Sequence, residues 1–237
     1  MTTNGVPKQV LYYADEPISE MMLLNIIRPL GSAFEKTDSL EAFFDGASQG
    51  QATINLLDIT HSEDLQDLTL RPRSHPTSPI WLITDEPQHL AGMADDYLPR
   101  PLSIESFRVA LAYWLETLPI FSSGALLKLS QSGGNELVLK ILPSFNDSLN
   151  SAMVQTFAYL NENNLIEAAK HCHAIKASAK LVGAEALYNL CLWIEMKKRH
   201  SSPLSENFMK KTKQIFLKTQ KFFESLTQKP IEMILRQ

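Results

Sequence analysis

The spacing of apolar residues changes near residue 120, and this change limits the folds that the chain can adopt. Before it, short apolar runs of strand length alternate with segments of helical periodicity. After it, the apolar residues follow helical spacing and no segment reads as a convincing strand. Alternating strands and helices predict a parallel sheet with helices on both faces, whereas successive helices with short connections predict an antiparallel bundle. We therefore expect an α/β domain followed by an all-α domain.

The first half of the chain predicts five strands and three helices. The strands lie at 9–13, 32–36, 53–57, 79–83 and 95–98, and the helices at 19–30, 40–47 and 103–118. Ser19 and Ser103 are the expected N-caps of the first and third helices, because a serine hydroxyl accepts a hydrogen bond from an N–H of the first turn.

Four polar residues come directly after predicted strands, namely Asp15, Asp58, Thr84 and Arg100. The carboxyl ends of parallel strands meet at one edge of a sheet, and the chemistry of such sheets gathers there. We therefore expect these four side chains to converge.

The second half predicts four helices, at 136–161, 165–182, 185–199 and 205–226. The segment 121–134 is predicted to be a linker with at most one helical turn. The breaks between the helices are short, which favours an antiparallel four-helix bundle.

The helix at 165–182 carries one continuous apolar stripe. Its members are spaced 3, 4, 3, 4 and 3 residues apart and should face the bundle core; they are Leu165, Ala168, Cys172, Ile175, Ala179 and Val182. At ~100° per residue, His173 lies roughly 130° from the middle of this stripe and should point to solvent. Lys176, Ala177 and Lys180 lie on or beside the same face.

An exposed imidazole beside two lysines and a small residue is what a phosphoryl carrier needs. Part of a solvated imidazole population is neutral and nucleophilic at neutral pH, and the ammonium groups can neutralise an incoming phosphoryl group. From periodicity alone, an incidental surface histidine is the simpler interpretation. A metal site at His171-Cys172-His173 is disfavoured, because successive helical residues point ~100° apart.

The block around His173 resembles the histidine-phosphotransfer (HPt) family, whose pattern is His-x-Leu-Lys-Gly, small residues, Gly-Ala, Leu…Leu-Cys and Leu-Glu. Here it reads His-Ala-Ile-Lys-Ala-Ser-Ala-Lys-Leu-Val-Gly-Ala, followed by Leu187, Leu190, Cys191 and Glu195. The resemblance implies that His173 is the phosphorylated residue and Lys176 its cationic neighbour. Ala177 stands where the family usually has glycine.

The first half resembles a response-regulator receiver domain. Four segments match. Segment 10–17 corresponds to the opening strand and acidic turn, and segment 56–58 ends at the phospho-acceptor position Asp58. Segment 79–84 ends at the switch position Thr84, and segment 96–101 corresponds to the last strand and the residues after it. The resemblance implies a flavodoxin-like doubly wound fold.

The sequence departs from the receiver pattern at several positions of the expected phosphorylation site. Ala14 replaces the first of two acidic metal ligands, Arg100 replaces a lysine, and Asp85 stands where a small residue is usual. The stretch between Thr84 and Arg100 is short, so its helix should be truncated or lost. Asp15 and Asp58 remain as ligands if Mg²⁺ binds. Two outcomes stay open, an inactive pseudo-receiver and residual phosphorylation of Asp58.

Together the resemblances imply a phosphorelay protein like the C-terminal part of a hybrid sensor kinase. A degenerate receiver would span 4–119 and an HPt bundle 122–230. His173 would carry a phosphoryl group between receiver aspartates, without autonomous kinase activity and without a cofactor of its own. Its partners would be receiver domains and a hybrid sensor kinase. The alternative is a regulatory scaffold that binds signalling proteins without carrying phosphate.

Composition and charge limit the classes of partner, location and function that the chain can have. The net charge of −4 divides into −10 for residues 1–119 and +6 for residues 120–237, which favours two domains with different partners. The basic half lacks basic residues interleaved with aromatic ones, so nucleic acid is not an expected partner.

No membrane segment or signal peptide is evident, and two cysteines are too few for a disulfide framework. We therefore expect a cytoplasmic location. There is no Ser/His/Asp set, phosphate-binding glycine loop or ATP-binding motif.

Overall fold

The computed structural model describes residues 9–28, 33–50, 52–59, 78–84, 94–100, 102–116, 118–198 and 204–235. The described elements of the first half are strands and helices in alternation. They are β1 Gln9–Ala14, α1 Pro17–Ile27, β2 Ala33–Lys36, α2 Leu40–Ser48, β3 Ile54–Asp58, β4 Ile80–Thr84, β5 Asp96–Pro99 and α3 Ile104–Leu115.

The five strands form one parallel sheet in the order β2-β1-β3-β4-β5. This is the doubly wound order of flavodoxin-like and receiver domains, so the predicted α/β fold of the first half is confirmed. The chain reverses its direction of winding between β1 and β3, where Ala14 lies beside Asp58.

Burial explains the sheet order. Every residue of β3 and β4 is buried, which is typical of central strands covered on both faces, whereas all of β2 is exposed at the sheet edge. Phe43 and Ala47 of α2 pack into the core with Leu11, Leu57 and other buried residues.

The two predicted serine caps have different outcomes. Ser103 is confirmed, since its hydroxyl accepts from the Ser106 N–H at 3.0 Å. The Ser19 prediction is wrong: α1 begins at Pro17, after Glu16, because proline is favoured in a first turn that needs no N–H from it. Ser19 instead lies inside the first turn and is buried. Asp85 and the helix predicted to be truncated fall within 85–93, outside the described residues.

Every described secondary-structure element of the second half is a helix. Its helices are α4 Ser123–Asn161, α5 Leu165–Val182, α6 Glu185–Lys197, α7 Glu206–Thr227 and the short α8 Ile231–Ile234.

The predicted linker at 121–134 is wrong over most of its length, because α4 already begins at Ser123. Leu126 is fully buried, and the Ser122 N–H donates to the Gly183 carbonyl at 2.8 Å, so tertiary contacts hold this segment. Gly134, with φ 75° and ψ 169°, interrupts the helix there. Gly134 therefore marks a kink within α4 and not the end of a linker.

Side-chain contacts show how these helices pack. Thr156 and Tyr159 of α4 contact Cys172 and His171 of α5 in reverse order, so the two helices run antiparallel. The aromatic pairs Phe145–Phe223 and Phe157–Phe216, with ring centroids 4.8 and 5.6 Å apart, set α4 against α7 in the same antiparallel sense. Both cysteines are free and buried, as expected of small core residues.

Backbone contacts divide the chain into two compact units. One comprises Met1–Phe107 with Ser202–Glu206, and the other Arg108–Ser201 with Asn207–Gln237. The second half of α3 thus groups with the helical unit, where the Tyr113 hydroxyl lies 3.0 Å from both the Phe208 carbonyl and the Thr212 hydroxyl.

Replacing Gly183 by alanine should destabilise the helical unit. Gly183 ends α5 with φ 79°, and a Cβ there would lie 2.2 Å from the Ser122 carbonyl oxygen. Backbone strain and steric overlap together should cost at least ~2 kcal/mol. Gly124→Ala is the matched control, because its nearest neighbour atom would be 3.9 Å away. Thermal unfolding by circular dichroism should show a large drop for Gly183→Ala only. Equal melting temperatures would contradict the packing of Ser122 on this turn.

Candidate functional site

Helix α5 holds His173 in a fixed position. Asn164 caps its N-terminus by accepting from the Glu167 N–H at 3.2 Å, and Gly183 ends it in a left-handed conformation. The whole predicted apolar stripe is buried, together with Ala169. The stripe directs the opposite face outward, and the His173 side chain is 73% exposed.

Glu195 of α6 joins His173 to Lys176. Its Oε1 lies 3.0 Å from the imidazole Nδ1, and its Oε2 accepts from the Lys176 ammonium at 2.5 Å. Glu195 is only 16% exposed and Lys176 only 20%, so this ion pair is shielded while the imidazole is not. The shielded Glu195 carboxylate therefore fixes the orientation of the exposed His173 ring.

The contact with Glu195 selects one tautomer of the neutral imidazole. A carboxylate paired with an ammonium can only accept, so the proton of the neutral ring lies on Nδ1. The lone pair is then on Nε2, the nitrogen on the far side of the ring. This arrangement presents an oriented nitrogen nucleophile on a helical surface.

Of the small and cationic neighbours of His173, Ala177 lies as expected, whereas the two lysines have partners that the sequence did not predict. Ala177 is exposed one turn further along α5, as predicted. Lys176 is bound to Glu195, and the Lys180 ammonium lies 5.5 Å from the centre of the Tyr188 ring. The expectation that these lysines simply face an incoming phosphoryl group is therefore incomplete, because each is also engaged by a neighbouring helix.

Sequence reasoning did not assign a role to Glu195. The residue was visible only as part of the HPt pattern, 22 positions after His173. Nothing in the periodicity of α6 shows which residue of α5 it faces. Its role depends on the antiparallel packing of the two helices, which pairs Glu195 with two residues one turn apart.

The face around His173 is also partly apolar. Ile166 is 60% exposed and Leu181 46% exposed. With Lys170, His173 and Ala177 these residues follow one another at spacings of three or four, which places them along one side of α5. Exposed apolar side chains that line up beside a reactive group favour a protein partner over a purely solvated surface.

The four predicted edge residues of the first unit follow their strands as expected. Asp58 ends β3, Thr84 ends the adjacent β4, and the Asp15 N–H donates to the Asp58 carbonyl at 3.2 Å. Arg100 follows β5 and forms an ion pair with the Asp58 carboxylate. Its other terminal nitrogen donates to the Ser19 hydroxyl at 3.0 Å, a contact that the sequence did not reveal.

The Asp58 carboxyl is in an unfavourable place for a charge. Burial raises its pKa to about 6, in spite of the opposing attraction of Arg100; Asp15 and Glu16 raise the pKa further by repulsion. Desolvation therefore outweighs the ion pair, and Arg100 is the group that partly offsets it.

The residues at this edge do not fit a magnesium ion. Ala14 supplies no ligand, and a guanidinium that occupies the Asp58 carboxylate would repel a divalent cation. Over the described ranges, no three His, Cys, Asp or Glu side chains are gathered closely enough to bind a metal ion. We therefore assign no metal-dependent step to this unit.

No family model matches the chain, and no curated protein matches it. The solved structures that it resembles include a response-regulator receiver domain, full-length FixJ and the response regulator StyR. A CheY-like receiver domain from Methylobacillus flagellatus aligns with 17% identity and a TM-score of 0.36, over 46% of this chain and 99% of its own. Full-length FixJ from B. japonicum aligns with 14% identity and a TM-score of 0.36, over 82% of this chain and 99% of its own. StyR aligns with 16% identity and a TM-score of 0.32, over 80% of this chain and 99% of its own. The order of its five parallel strands defines the fold of the first unit.

Within the described part of the chain, none of the helices combines the length and apolar character needed to cross a bilayer.

The Asp58→Asn variant should change how stability depends on pH. The folded protein, with the Asp58 pKa at about 6, binds a proton more tightly than the unfolded chain, with the ordinary value of 3.8. The wild type should therefore lose stability relative to Asp58→Asn as pH rises from about 4 to about 6, by on the order of 2 kcal/mol. Asparagine still accepts from Arg100 but does not titrate. Thermal unfolding of both proteins between pH 4 and 7 measures the difference, and parallel curves would refute it.

Proposed function

We propose that this protein is a phosphorelay carrier whose second unit is an antiparallel HPt bundle with the phosphoryl group on His173. The observation that supports this most strongly is the exposed imidazole whose Nδ1 is held by a shielded Glu195–Lys176 pair. A surface histidine without a role would not need such support.

The transfer step follows from the assigned tautomer. The Nε2 lone pair of His173 attacks the phosphorus of an aspartyl phosphate on a partner receiver, and the bond from phosphorus to the aspartate oxygen breaks. The aspartate leaves as a carboxylate with the bonding electron pair. The ring becomes positively charged, and its Nδ1 proton remains hydrogen-bonded to Glu195. The reverse reaction on a second receiver regenerates the neutral ring.

Glu195 assists in two ways. It holds the ring so that Nε2 points away from the helices, and it stabilises the positive charge that develops on the ring during attack. Lys176 keeps the carboxylate in place. The partner receiver supplies its own acidic pocket and metal, because in-line phosphoryl transfer depends mainly on positioning and electrostatics.

The face that carries His173 suits a receiver domain as its partner. Ile166, Ala177 and Leu181 offer apolar contact area, and the excess of basic residues in the second half of the chain attracts acidic surfaces. A hybrid sensor kinase would supply the phosphoryl group, and a cytoplasmic location follows from such partners.

The first unit serves as a pseudo-receiver in this proposal. Arg100 occupies the carboxylate that would accept a phosphoryl group, and Ala14 leaves the metal site incomplete. Its role would be docking or regulation. The competing hypothesis is a scaffold in which neither unit carries phosphate, and labelling distinguishes the two.

Phosphoryl transfer from a labelled phospho-receiver should mark the wild type but not His173→Gln. The label should be stable to alkali and labile to acid, as expected of a phosphohistidine. His171→Gln is the matched control, because His171 stacks on Tyr159 with centroids 5.5 Å apart and lies outside the exposed site. Asp58→Asn should also retain the label. Absence of label from every receiver tested would support the scaffold, and label that persists in His173→Gln would exclude His173 as the carrier.

Glu195→Ala should slow transfer by about tenfold to a hundredfold, as is typical when a residue that orients a reactive ligand is removed. Glu195→Gln should be intermediate, since its amide oxygen still accepts from Nδ1. The control is Glu167→Ala, which removes the Lys170 partner on the same helix. Nitrogen NMR of the His173 ring should show the Nδ1–H tautomer in the wild type and a mixture in Glu195→Ala. Unchanged rates and tautomers would mean that Glu195 is only structural.

A further inference from the structure

The first unit contains a cavity at the carboxyl edge of its sheet. It measures about 350 Å³ and is lined by Ser19, Met22, Leu23, Asp58, Ile83, Arg100 and Leu102. Small-molecule sites in proteins are mostly apolar clefts of ~300–1,000 Å³ with a few convergent polar groups, and α/β sheets favour this edge. The cavity is therefore at the lower end of the range that holds a small organic ligand.

The wall of the cavity has two chemically distinct parts. Met22, Leu23, Ile83 and Leu102 provide an apolar lining. Among the described residues, the polar part includes a hydrogen-bonded chain in which Arg100 bonds both the Asp58 carboxylate and the Ser19 hydroxyl. Ser19 also lies in the first turn of α1, where the helix dipole favours negative charge.

The charges around the cavity limit the occupant. A guanidinium is a planar donor that pairs with carboxylates in a bidentate manner, so Arg100 is the recognition group. Asp58 and its neighbours Asp15 and Glu16 bring negative charge to the same edge. A dianion such as phosphate would be repelled more strongly than a monoanion, and the apolar lining adds a preference for an aliphatic body.

We propose that the first unit is a binding site for a small aliphatic monocarboxylate, whose carboxylate bonds Arg100 and Ser19 while its chain lies against Met22, Leu23, Ile83 and Leu102. The unit thus acts as a ligand sensor in place of a phosphoryl acceptor, independently of the chemistry at His173.

The test is a titration of the full chain, labelled with ¹³C-methyl methionine, with hexanoate. The Met22 methyl should shift with saturation, and the Met21 methyl should not. Hexanoate should bind more tightly than acetate by roughly fourfold per methylene, the equivalent of ~0.8 kcal/mol. Hexanamide, which lacks the charge, should bind at least tenfold more weakly, about 1.4 kcal/mol.

Two methionine variants test the location without disturbing the core. Met22 is 46% exposed at the cavity and Met21 is 60% exposed outside its lining, so both positions accept tryptophan. Met22→Trp should fill the cavity and abolish binding measured by calorimetry, whereas Met21→Trp should bind like the wild type. Arg100→Met should also lose binding. His173→Gln should bind normally, which separates this proposal from the phosphorelay.

Four results would overturn the proposal. The first is the absence of saturable hexanoate binding. The second is equal affinity for hexanoate and hexanamide, because recognition would then not involve Arg100. The third is unchanged binding by Met22→Trp. Saturable binding of inorganic phosphate in place of hexanoate would likewise overturn it and would indicate that the edge still recognises a phosphoryl group.

Discussion

The burial of one face of α5 is the constraint on which the helical unit depends. Seven of its residues, from Leu165 to Val182, are buried against neighbouring helices. Since an α-helix is rigid over five turns, burying one side dictates what the other side exposes. The exposure of His173 is therefore a consequence of core packing on the opposite face of the same helix. The site needs no loop to present it, and a reactive group held by a helix is positioned more precisely than one held by a loop.

The two candidate sites of the chain treat charge in opposite ways. At His173 the ion pair of Glu195 and Lys176 is shielded and the reactive ring is open to solvent. At the sheet edge the carboxylate itself is buried and its cation partner covers it. The His173 imidazole is therefore accessible to a partner, whereas the Asp58 carboxylate is buried and paired with Arg100. This contrast is the physical basis of our proposal that the helical unit transfers phosphoryl groups and that the sheet unit has a different role.

The sequence predictions failed where tertiary contacts overrode local signals. The segment before Gly134 is rich in serine and glycine, which favours a linker, but Leu126 is buried and Ser122 is tied to Gly183, so the segment is helical. Ser19 has the character of an N-cap, yet Pro17 begins the helix two residues earlier. In the folded protein the Ser19 hydroxyl accepts from Arg100, which lies 81 positions away in the chain.

The sequence by itself determined the order of strands and helices, the buried stripe of α5 and the outward position of His173, because each depends on periodicities of two or 3.6 residues that are local to one element. It also placed Asp15, Asp58, Thr84 and Arg100 after strands. Only the tertiary structure decided that Glu195 supports His173, that Lys176 is bound to Glu195, and that Arg100 links Asp58 to Ser19. Each of these contacts joins residues on different elements, and their geometry depends on how those elements pack, which no local pattern encodes.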